Sequence, residues 1–418
     1  MGQSRRPAPG AQRDDGPPPT AYPSGVLPET VFWTASIGLG WVYVGYPLVV
    51  AGAARLRPVG LGEVGPPPTV AVAIAVHDEA AQIEERIRDV LAQAGPGVEL
   101  VEVIVGSDGS ADDTDAIVRR LAAQDPRIRL VAGERAGQTA TQARLFDVAS
   151  ADVVILTDAE TRFEPGCLAA LVAPFRDPRV GCVTGRLEWR AERATATSSN
   201  EGLYWRYERA VRHVESRAGW LTAVTGAILA VRRDVYRHVP PTASMDHLLP
   251  LYVREAGGLV LYQPAAVATD RPISGLREQF RNRTRTATRG IRANLSMVGR
   301  LAPWRRPSAA LAIWSHKLLR WATPWLALTA GLSGAILAWS GSPGYAVAPA
   351  GLLAAAIAAA AAHVVAGAGR RPPRILAFAR AFGVVNLAFA VAWLNVLRGK
   401  QIEAWRRSEF EMVRARRN

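Results

Sequence analysis

The stretch Ile-Leu-Thr-Asp-Ala-Glu at positions 155–160 ends an apolar run abruptly in two carboxylates, Asp158 and Glu160. A strand that ends this way delivers two oxygen ligands to one point. Carboxylate oxygens suit hard divalent cations such as Mg²⁺ and Mn²⁺, which usually complete their coordination with substrate phosphates. Taken alone, the pair is more often a solvated strand end, so its surroundings must decide between the two interpretations.

Alternating apolar and amphipathic segments surround this stretch. Short apolar runs at 70–76, 101–105, 128–131 and 152–157 predict strands, and helical patterns at 79–93, 112–121 and 137–149 lie between them. Repeated β-α units predict an α/β fold with a mostly parallel sheet. In such a sheet, ligands bind at the carboxyl ends of the strands.

Polar clusters follow three of the predicted strands. They lie at 77–79 (His-Asp-Glu), at 107–110 (Ser-Asp-Gly-Ser) and at 158–160 (Asp-Ala-Glu). Each has an ordinary structural interpretation, since Asp108-Gly109 suits a turn and Ser110 suits a helix cap. Their convergence on one edge of the sheet favours a binding site.

Four apolar segments divide the chain. Val31–Ala54 contains no charged residue and is long enough to cross a bilayer, which takes ~20 apolar residues. Three more segments follow at 322–340, 344–368 and 381–397. We therefore predict a disordered tail (1–30), a transmembrane helix (31–54), a soluble domain (66–301), an interfacial segment (302–321), C-terminal transmembrane helices (322–398) and a basic tail (399–418).

The formal net charge of +14 indicates an anionic partner or a membrane. Basic residues flank the apolar segments, which favours the lipid bilayer over nucleic acid as the partner and places the soluble domain in the cytoplasm. Arginines precede 381–397 and the basic tail follows it, and both favour the cytoplasmic side of the membrane. The sequence therefore leaves open whether this segment crosses the bilayer. His316, in a Trp- and Lys-containing stretch, is expected to lie at the membrane interface.

The order of the motifs resembles the family 2 glycosyltransferases with the GT-A fold. The resemblance rests on the sequences Ala-Val-His-Asp-Glu (75–79), Val-Gly-Ser-Asp-Gly-Ser-Ala-Asp-Asp-Thr (105–114), Arg-Ala-Gly-Gln (135–138) and Thr-Asp-Ala-Glu (157–160). It covers about residues 67–300, and the membrane layout resembles the branch that includes hyaluronan, chitin and cellulose synthases. It implies a membrane-bound enzyme that uses a nucleotide-sugar donor, commonly a UDP-sugar.

The resemblance also implies roles on the donor side. Val76, His77 and Glu79 would line the nucleoside pocket, and Asp108 would accept a hydrogen bond from the base. Uracil is the usual base of the family, while guanine and thymine stay open.

Asp158 would face the donor and share Mg²⁺ or Mn²⁺ with Glu160, and the metal would neutralise the diphosphate leaving group. The chain departs from the family at two of these positions. Gln138 stands where a Lys is common, which removes a cation near the donor, and Asp-x-Glu replaces Asp-x-Asp.

On the acceptor side, Asp246 in Ser-Met-Asp-His would be the catalytic base. By itself, an Asp in this place would be assigned to a helix N-cap. Gly226 would allow the backbone to approach the acceptor.

The basic stretch before the C-terminal helices supplies candidates for phosphate binding. Guanidinium groups bind phosphate in bidentate fashion, so Arg283 and Arg285 are candidates for closing over the diphosphate. Arg289 and Arg292 suit anionic headgroups equally well. Processive synthases carry Gln-x-x-Arg-Trp near here, whereas this chain has Gln279 followed by Phe-Arg-Asn-Arg, which leaves processivity open.

Three functions compete at this point. The chain could add sugars to a growing glycan, with an export partner that the sequence does not identify. It could instead load one sugar onto a polyprenyl phosphate or other lipid acceptor, which is already ionised and needs less base catalysis. A non-catalytic lipid-binding membrane protein is the third interpretation.

Overall fold

The fold is described from a computed structural model, which covers residues 26–62, 65–189, 196–270 and 275–400 and gives only the backbone for 196–205. The predicted disordered tail before residue 26 and the basic tail after residue 400 lie outside the described residues. The remaining predicted segments can each be compared with an observed element.

One eight-stranded sheet forms the centre, in the order β3-β2-β1-β4-β7-β6-β8-β5. The strands are β1 (Thr69–Val76), β2 (Glu99–Asp108), β3 (Ile128–Gly133), β4 (Val153–Thr157), β5 (Arg162–Phe163), β6 (Val180–Trp189), β7 (Leu229–Arg232) and β8 (Leu259–Asp270). β1 to β4 are mutually parallel, while β7 pairs antiparallel with both β4 and β6. β8 pairs parallel with β6 and antiparallel with β5, so four of the seven pairings among the described strands are parallel, and the predicted α/β fold with a mostly parallel sheet is confirmed.

The helices lie on both faces of the sheet and beyond it. They are α1 (Val26–Gly40), α2 (Tyr46–Leu56), α3 (Ile83–Leu91), α4 (Thr114–Ala122), α5 (Gln138–Val148), α6 (Cys167–Val172), α7 (Ala196–Arg217), α8 (Met245–Ala256), α9 (Leu276–Met297), α10 (Pro307–Ala312), α11 (Leu319–Trp321), α12 (Thr323–Trp339), α13 (Val347–Gly367) and α14 (Arg374–Leu397). Two π-helical stretches, Trp41–Gly45 and Ile313–Leu318, join α1 to α2 and α10 to α11.

Burial explains why the central strands read as continuous apolar runs. Seven of the eight residues of β1 are buried, as are all five of β4, because helices cover both faces of the sheet. One core cluster contains α3 and α4, and the other contains α5, α8 and α9. β1 lies between β2 and β4, so the order in which successive strands are added to the sheet reverses there. Such a reversal opens a crevice at the carboxyl ends of the strands.

Among the described residues, three continuous helical segments are long and apolar enough to cross a membrane, judged by length and composition: Val26–Leu56, Pro343–Gly367 and Arg374–Leu397. A fourth would be the pair Pro307–Trp321 and Thr323–Trp339, which is bent by 62°. The first helical segment already includes Val26, ahead of the predicted 31, and the last begins at Arg374, earlier than the predicted 381.

The C-terminal half of α14 packs on the soluble domain. Phe389 and Ala392 are buried in the same core cluster as Ile291 of α9, and Asn395 Nδ2 lies 3.5 Å from Thr288 Oγ1 of α9. The last apolar segment is therefore anchored to the soluble domain at its C-terminal end.

Candidate active site

The ends of β1 and β2 are linked by the two polar clusters that follow them. Asp78 adopts a left-handed backbone conformation with φ of 56°, which Asp tolerates better than most residues. Its carboxylate accepts a hydrogen bond from the backbone N–H of Ala111 (2.7 Å), and its own N–H donates to Ser110 Oγ (3.2 Å). These bonds hold the two predicted motifs side by side at one sheet edge.

Asp108 is fully buried and holds the start of α5. Its carboxylate accepts hydrogen bonds from the N–H groups of Ala136 (2.7 Å) and Gly137 (2.9 Å) and from Thr141 Oγ1 (3.0 Å). The structure thus gives Asp108 a positioning role for the 136–138 turn, because its oxygens are engaged there. A direct contact with the donor base stays a prediction.

The residues predicted to line the nucleoside pocket surround the same strand end. Val76 is fully buried as the last residue of β1. His77 Nδ1 lies 3.0 Å from the carbonyl oxygen of Asp108, and its Nε2 contacts Arg135. The N–H of Glu79 donates to Thr114 Oγ1 (2.8 Å). The structure brings all three together beside Asp108.

Asp158 lies at the end of β4, next to the start of α5. Gln138 Nε2 donates to Asp158 Oδ1 at 3.0 Å. The residue that replaces the family's common Lys therefore contacts the predicted metal ligand directly, as a neutral donor instead of a cation.

Several carboxylates are crowded around Asp158 and Glu160. Burial, with repulsion from Asp270, Asp246 and Glu79, raises the pKa of Asp158 to about 6. Desolvation of its carboxyl group, with repulsion from Asp158, Asp270 and Glu79, raises the pKa of Glu160 to about 8, although the residue as a whole is exposed. A cation bound at the end of β4 would therefore stabilise the ionised forms of these carboxylates.

Asp270 belongs to this cluster and is absent from the sequence-based predictions. β5 and β8 pair antiparallel with Arg162 opposite Thr269, which places the end of β8 beside the turn that carries Glu160. The only signal in the sequence is an Asp that ends an apolar run, and nothing local indicates which strand β8 will join.

A buried arginine beneath the site is also absent from those predictions. Arg86 is fully buried; its Nη2 donates to Thr157 Oγ1 (2.6 Å), and its guanidinium lies 4.1 Å from the centre of the Phe163 ring. Burial lowers its pKa to about 10, and its charge attracts Asp158. The signal for it is a cation on the apolar face of α3, between Ile83 and Ile87.

Asp246 lies in the first turn of α8, and its carboxylate is held by its neighbours. His247 Nδ1 lies 3.2 Å from Asp246 Oδ1 and 2.6 Å from Ser244 Oγ. Burial opposes ionisation, but His247, Ser244 and Arg289 together hold the pKa of Asp246 well below its usual range. Asp246 therefore stays a carboxylate beside Asp158.

Gly226 lies directly against this carboxylate. A Cβ added at Gly226 would lie 3.4 Å from Asp246 Cβ and 3.5 Å from its Cγ. The structure therefore brings the predicted acceptor residue and the predicted base together.

The arginines of α9 divide between sides of the helix. Arg281, Arg285 and Arg289 recur every four residues and share one side, where Arg289 lies near Asp246. Arg283 is two residues from Arg285, a rotation of about 200° around the helix. That Arg283 and Arg285 close over the diphosphate stays a prediction, with the two side chains leaving the helix in different directions.

The headgroup interpretation of Arg289 is wrong. Arg289 is buried, and its Nη2 donates to Thr139 Oγ1 (2.8 Å) and to the carbonyl oxygen of Ala243. It joins the start of α5 to the segment before α8. Arg292 donates to the carbonyl oxygen of Lys400 (2.8 Å), next to the end of α14.

Residues 66–288, more than half of the chain, match the family model described as glycosyltransferase like family 2. The chain therefore belongs to this family, as the order of its motifs predicts.

The individual proteins that the chain resembles are distant from it in sequence. The chain is similar to the hyaluronan synthase of Streptococcus pyogenes, with 27% identity over 277 residues, which is 60% of this chain and 65% of that protein. It thus spans a little under two thirds of the length of this relative. It is also similar to the glycosyltransferase AglD of Haloferax volcanii, with 30% identity over 32% of this chain and 22% of that protein.

Among solved structures, the chain is similar to the mannosyltransferase PcManGT from Pyrobaculum calidifontis, determined in complex with GDP-Man and Mn²⁺. The TM-score is 0.63 at 21% identity, covering 89% of this chain and 99% of that one. At this identity the likeness shows the fold, and its coverage extends past the sheet into the apolar helices.

Proposed function

We propose that this chain is a membrane-embedded inverting glycosyltransferase that moves a sugar from a nucleotide-diphosphate donor onto a growing glycan. The observation that carries the proposal is the proximity of the Asp246 carboxylate to that of Asp158, with Glu160 two residues further along the chain. The crevice at the strand ends, the proposed active-site cleft, would thus have a candidate base on one side and a candidate leaving-group site on the other. Family membership and the similarity to a hyaluronan synthase support this activity.

The donor would bind at the carboxyl ends of β1, β2 and β4. Val76, His77 and Glu79 would line the nucleoside pocket, with Asp108 shaping the turn at its edge. UDP-sugars are the first donors to test, since UDP is the common donor nucleotide of the family. The GDP-Man bound in the similar mannosyltransferase adds GDP-sugars to the same test.

The residues around Asp158 fit a divalent cation. Asp158 and Glu160 supply carboxylate oxygens, and the pKa values of both are raised by desolvation and then by neighbouring carboxylates, whose repulsion a cation would relieve. Across the described ranges, no group of three or more His, Cys, Asp or Glu side chains is arranged to hold a metal ion unaided. Substrate phosphates would therefore complete the coordination of Mg²⁺ or Mn²⁺. When bound, the cation would stabilise the departing diphosphate.

In the transfer step, the acceptor hydroxyl oxygen attacks the anomeric carbon from the face opposite the diphosphate. The bond from this carbon to the phosphate oxygen breaks, and the nucleoside diphosphate leaves with the electron pair. Asp246 takes the hydroxyl proton. One displacement inverts the configuration, and a second nucleophile is not required.

The spans and the location belong to the same proposal. The three apolar helical segments and the bent fourth would hold the protein in the cell membrane, and the basic residues flanking them favour a cytoplasmic catalytic domain. α9, which carries the candidate phosphate-binding arginine, packs against α14 and so lies next to these helices.

A polyprenyl phosphate is a second candidate acceptor, and the electrostatics of Asp246 favour it. The pKa of Asp246 is lowered by its partners, which makes it a weak base, and Arg289 lies beside it, at the end of a cationic row that continues along α9 to Arg285 and Arg281. An ionised phosphate acceptor would suit this row and would need little base catalysis.

The test is nucleotide release by the purified full-length chain in lipid. UDP-, GDP- and dTDP-sugars are supplied with Mn²⁺ or Mg²⁺, with and without EDTA, beside an Asp158→Ala variant. We expect metal-dependent release from one donor, lost in the variant. Sizing the radiolabelled product then separates a polymer from a single transfer to lipid. Absence of release from every donor would contradict the proposal and favour a non-catalytic lipid-binding protein.

A further inference from the structure

A buried charge cluster lies where the first apolar helix meets the soluble domain. It joins α2, α7 and the segment from Ile313 to Trp321. Its members, each at most 8% exposed, are Tyr46, Glu208, Arg212, Glu215, His316 and Arg320. Nothing in the proposed transfer step uses these groups.

The contacts within the cluster are specific. Glu208 accepts from Arg320 Nη1 (2.6 Å) and from Arg212 Nε (3.2 Å), and His316 Nε2 lies 3.3 Å from its Oε2. Glu215 accepts from the Tyr46 hydroxyl, and its Oε1 lies 2.8 Å from His316 Nδ1. His316 therefore lies between two buried carboxylates, and its place at the membrane interface stays a prediction.

Removing one partner from such a buried set is destabilising, because a charge is then left uncompensated. The cluster consequently fixes one arrangement of α2, α7 and the helical segment before α12. Ser315 adds a further tie, since it accepts a hydrogen bond from Trp41 Nε1 (2.9 Å).

One member of the cluster also reaches the candidate acceptor site. Arg212 Nη1 donates to Thr225 Oγ1 at 2.7 Å. The N–H of Thr225 donates to Oγ1 of the fully buried Thr184 (3.1 Å), so the backbone of this loop is already tied to β6. The next residue is Gly226, which lies against Asp246.

We propose that Arg212 is a positioning residue that couples the membrane-side cluster to the Thr225–Gly226 loop and so sets the placement of the acceptor against Asp246. The planar guanidinium suits this role, because it binds Glu208 and Thr225 through separate N–H groups in a fixed geometry. The inference rests on the proposed function, since it assumes that an acceptor occupies this side of the cleft.

The test uses four variants of the full-length chain in lipid. Arg212→Gln removes the charge, and Arg212→Lys keeps it. Thr225→Val removes the accepting oxygen while leaving the charge cluster intact, and Thr225→Ser restores that oxygen. Arg206→Gln, at an exposed position of the same helix, is the matched control.

Three quantities are measured for each variant: the dissociation constant for the donor nucleotide, donor hydrolysis without acceptor, and the acceptor KM. The acceptors are a β-linked disaccharide primer and a polyprenyl phosphate in vesicles. We expect Arg212→Gln and Thr225→Val to raise the acceptor KM about tenfold, the effect of one lost hydrogen bond to a charged group. A single ammonium group is not expected to reproduce both contacts, so Arg212→Lys recovers only part of the loss, while Thr225→Ser recovers most of it.

Donor binding and hydrolysis should stay within about twofold of the unmodified chain, because the donor residues lie on other elements. An acceptor KM in Thr225→Val equal to that of Arg206→Gln would overturn the inference, as would an equal loss of hydrolysis and transfer. If the unmodified chain turns over no donor, the proposed function itself fails, and the role of Arg212 fails with it.

Discussion

Asp158 and Glu160 are expected to make the site depend on pH. Their pKa values in the folded chain, about 6 and about 8, lie above the ordinary values of 3.8 and 4.5. Between the ordinary and the raised pKa of each group, the folded chain binds more protons than the unfolded chain. The free energy of unfolding therefore falls as pH rises from about 4 to about 8. Metal binding needs the deprotonated forms, so Mn²⁺ affinity rises over the same interval.

Glu160→Gln tests this dependence without removing Asp158. We expect the variant to lose less stability than the unmodified chain between pH 6 and pH 8 when no metal is present. Thermal unfolding at several pH values, with EDTA, measures the difference. Parallel curves for the two proteins would show that Glu160 does not titrate in this interval.

Asp246→Asn separates the two candidate acceptors. If the acceptor is a sugar hydroxyl, transfer should fall about 100-fold or more because the proton has no base, while donor binding stays intact. If the acceptor is a lipid phosphate, most of the activity should remain. The rate with each acceptor and the Kd for the nucleotide are measured together, and loss of nucleotide binding would contradict the assigned role of Asp246.

At the scale of elements, the positions of the arginines around α9 predict which of them contact a phosphate group. Arg285 shares a side with Arg289 near Asp246, whereas Arg283 projects from another side of the helix. Arg285→Met should weaken the use of a phosphate-bearing substrate about tenfold or more, as expected for a charged contact, and Arg283→Met should change it much less. Donor and acceptor KM values for the two variants check this; equal effects would contradict the division of the helix.

The strand ends were predictable because each signal is local. The apolar runs before His77, Asp108 and Asp158 predict where β1, β2 and β4 end, and parallel strands bring these ends to one edge. Asp270 could not be predicted in the same way, since its place depends on β8 pairing with β5 and β6. The pairing of β8, antiparallel with β5 and parallel with β6, is a tertiary property.

At the scale of the whole molecule, metal and nucleotide should stabilise the fold together. The candidate metal site supplies two carboxylates, Asp158 and Glu160, and needs phosphate oxygens for completion. Mn²⁺ with UDP or GDP should therefore raise Tm more than the sum of the two separate shifts. Thermal shift measurements with Asp158→Ala as the control test this, and a full shift with Mn²⁺ alone would indicate a site that the protein completes itself.

The sequence by itself determined the β-α alternation, the apolar segments, and the carboxylates at the strand ends, because apolar periodicity and strand termination are written in neighbouring residues. Only the tertiary structure decided that Asp108 holds the start of α5, that Arg289 is buried, and that His316 joins a charge cluster. Each of these polar groups must find a partner when it is buried, and the partner comes from an element distant in the chain.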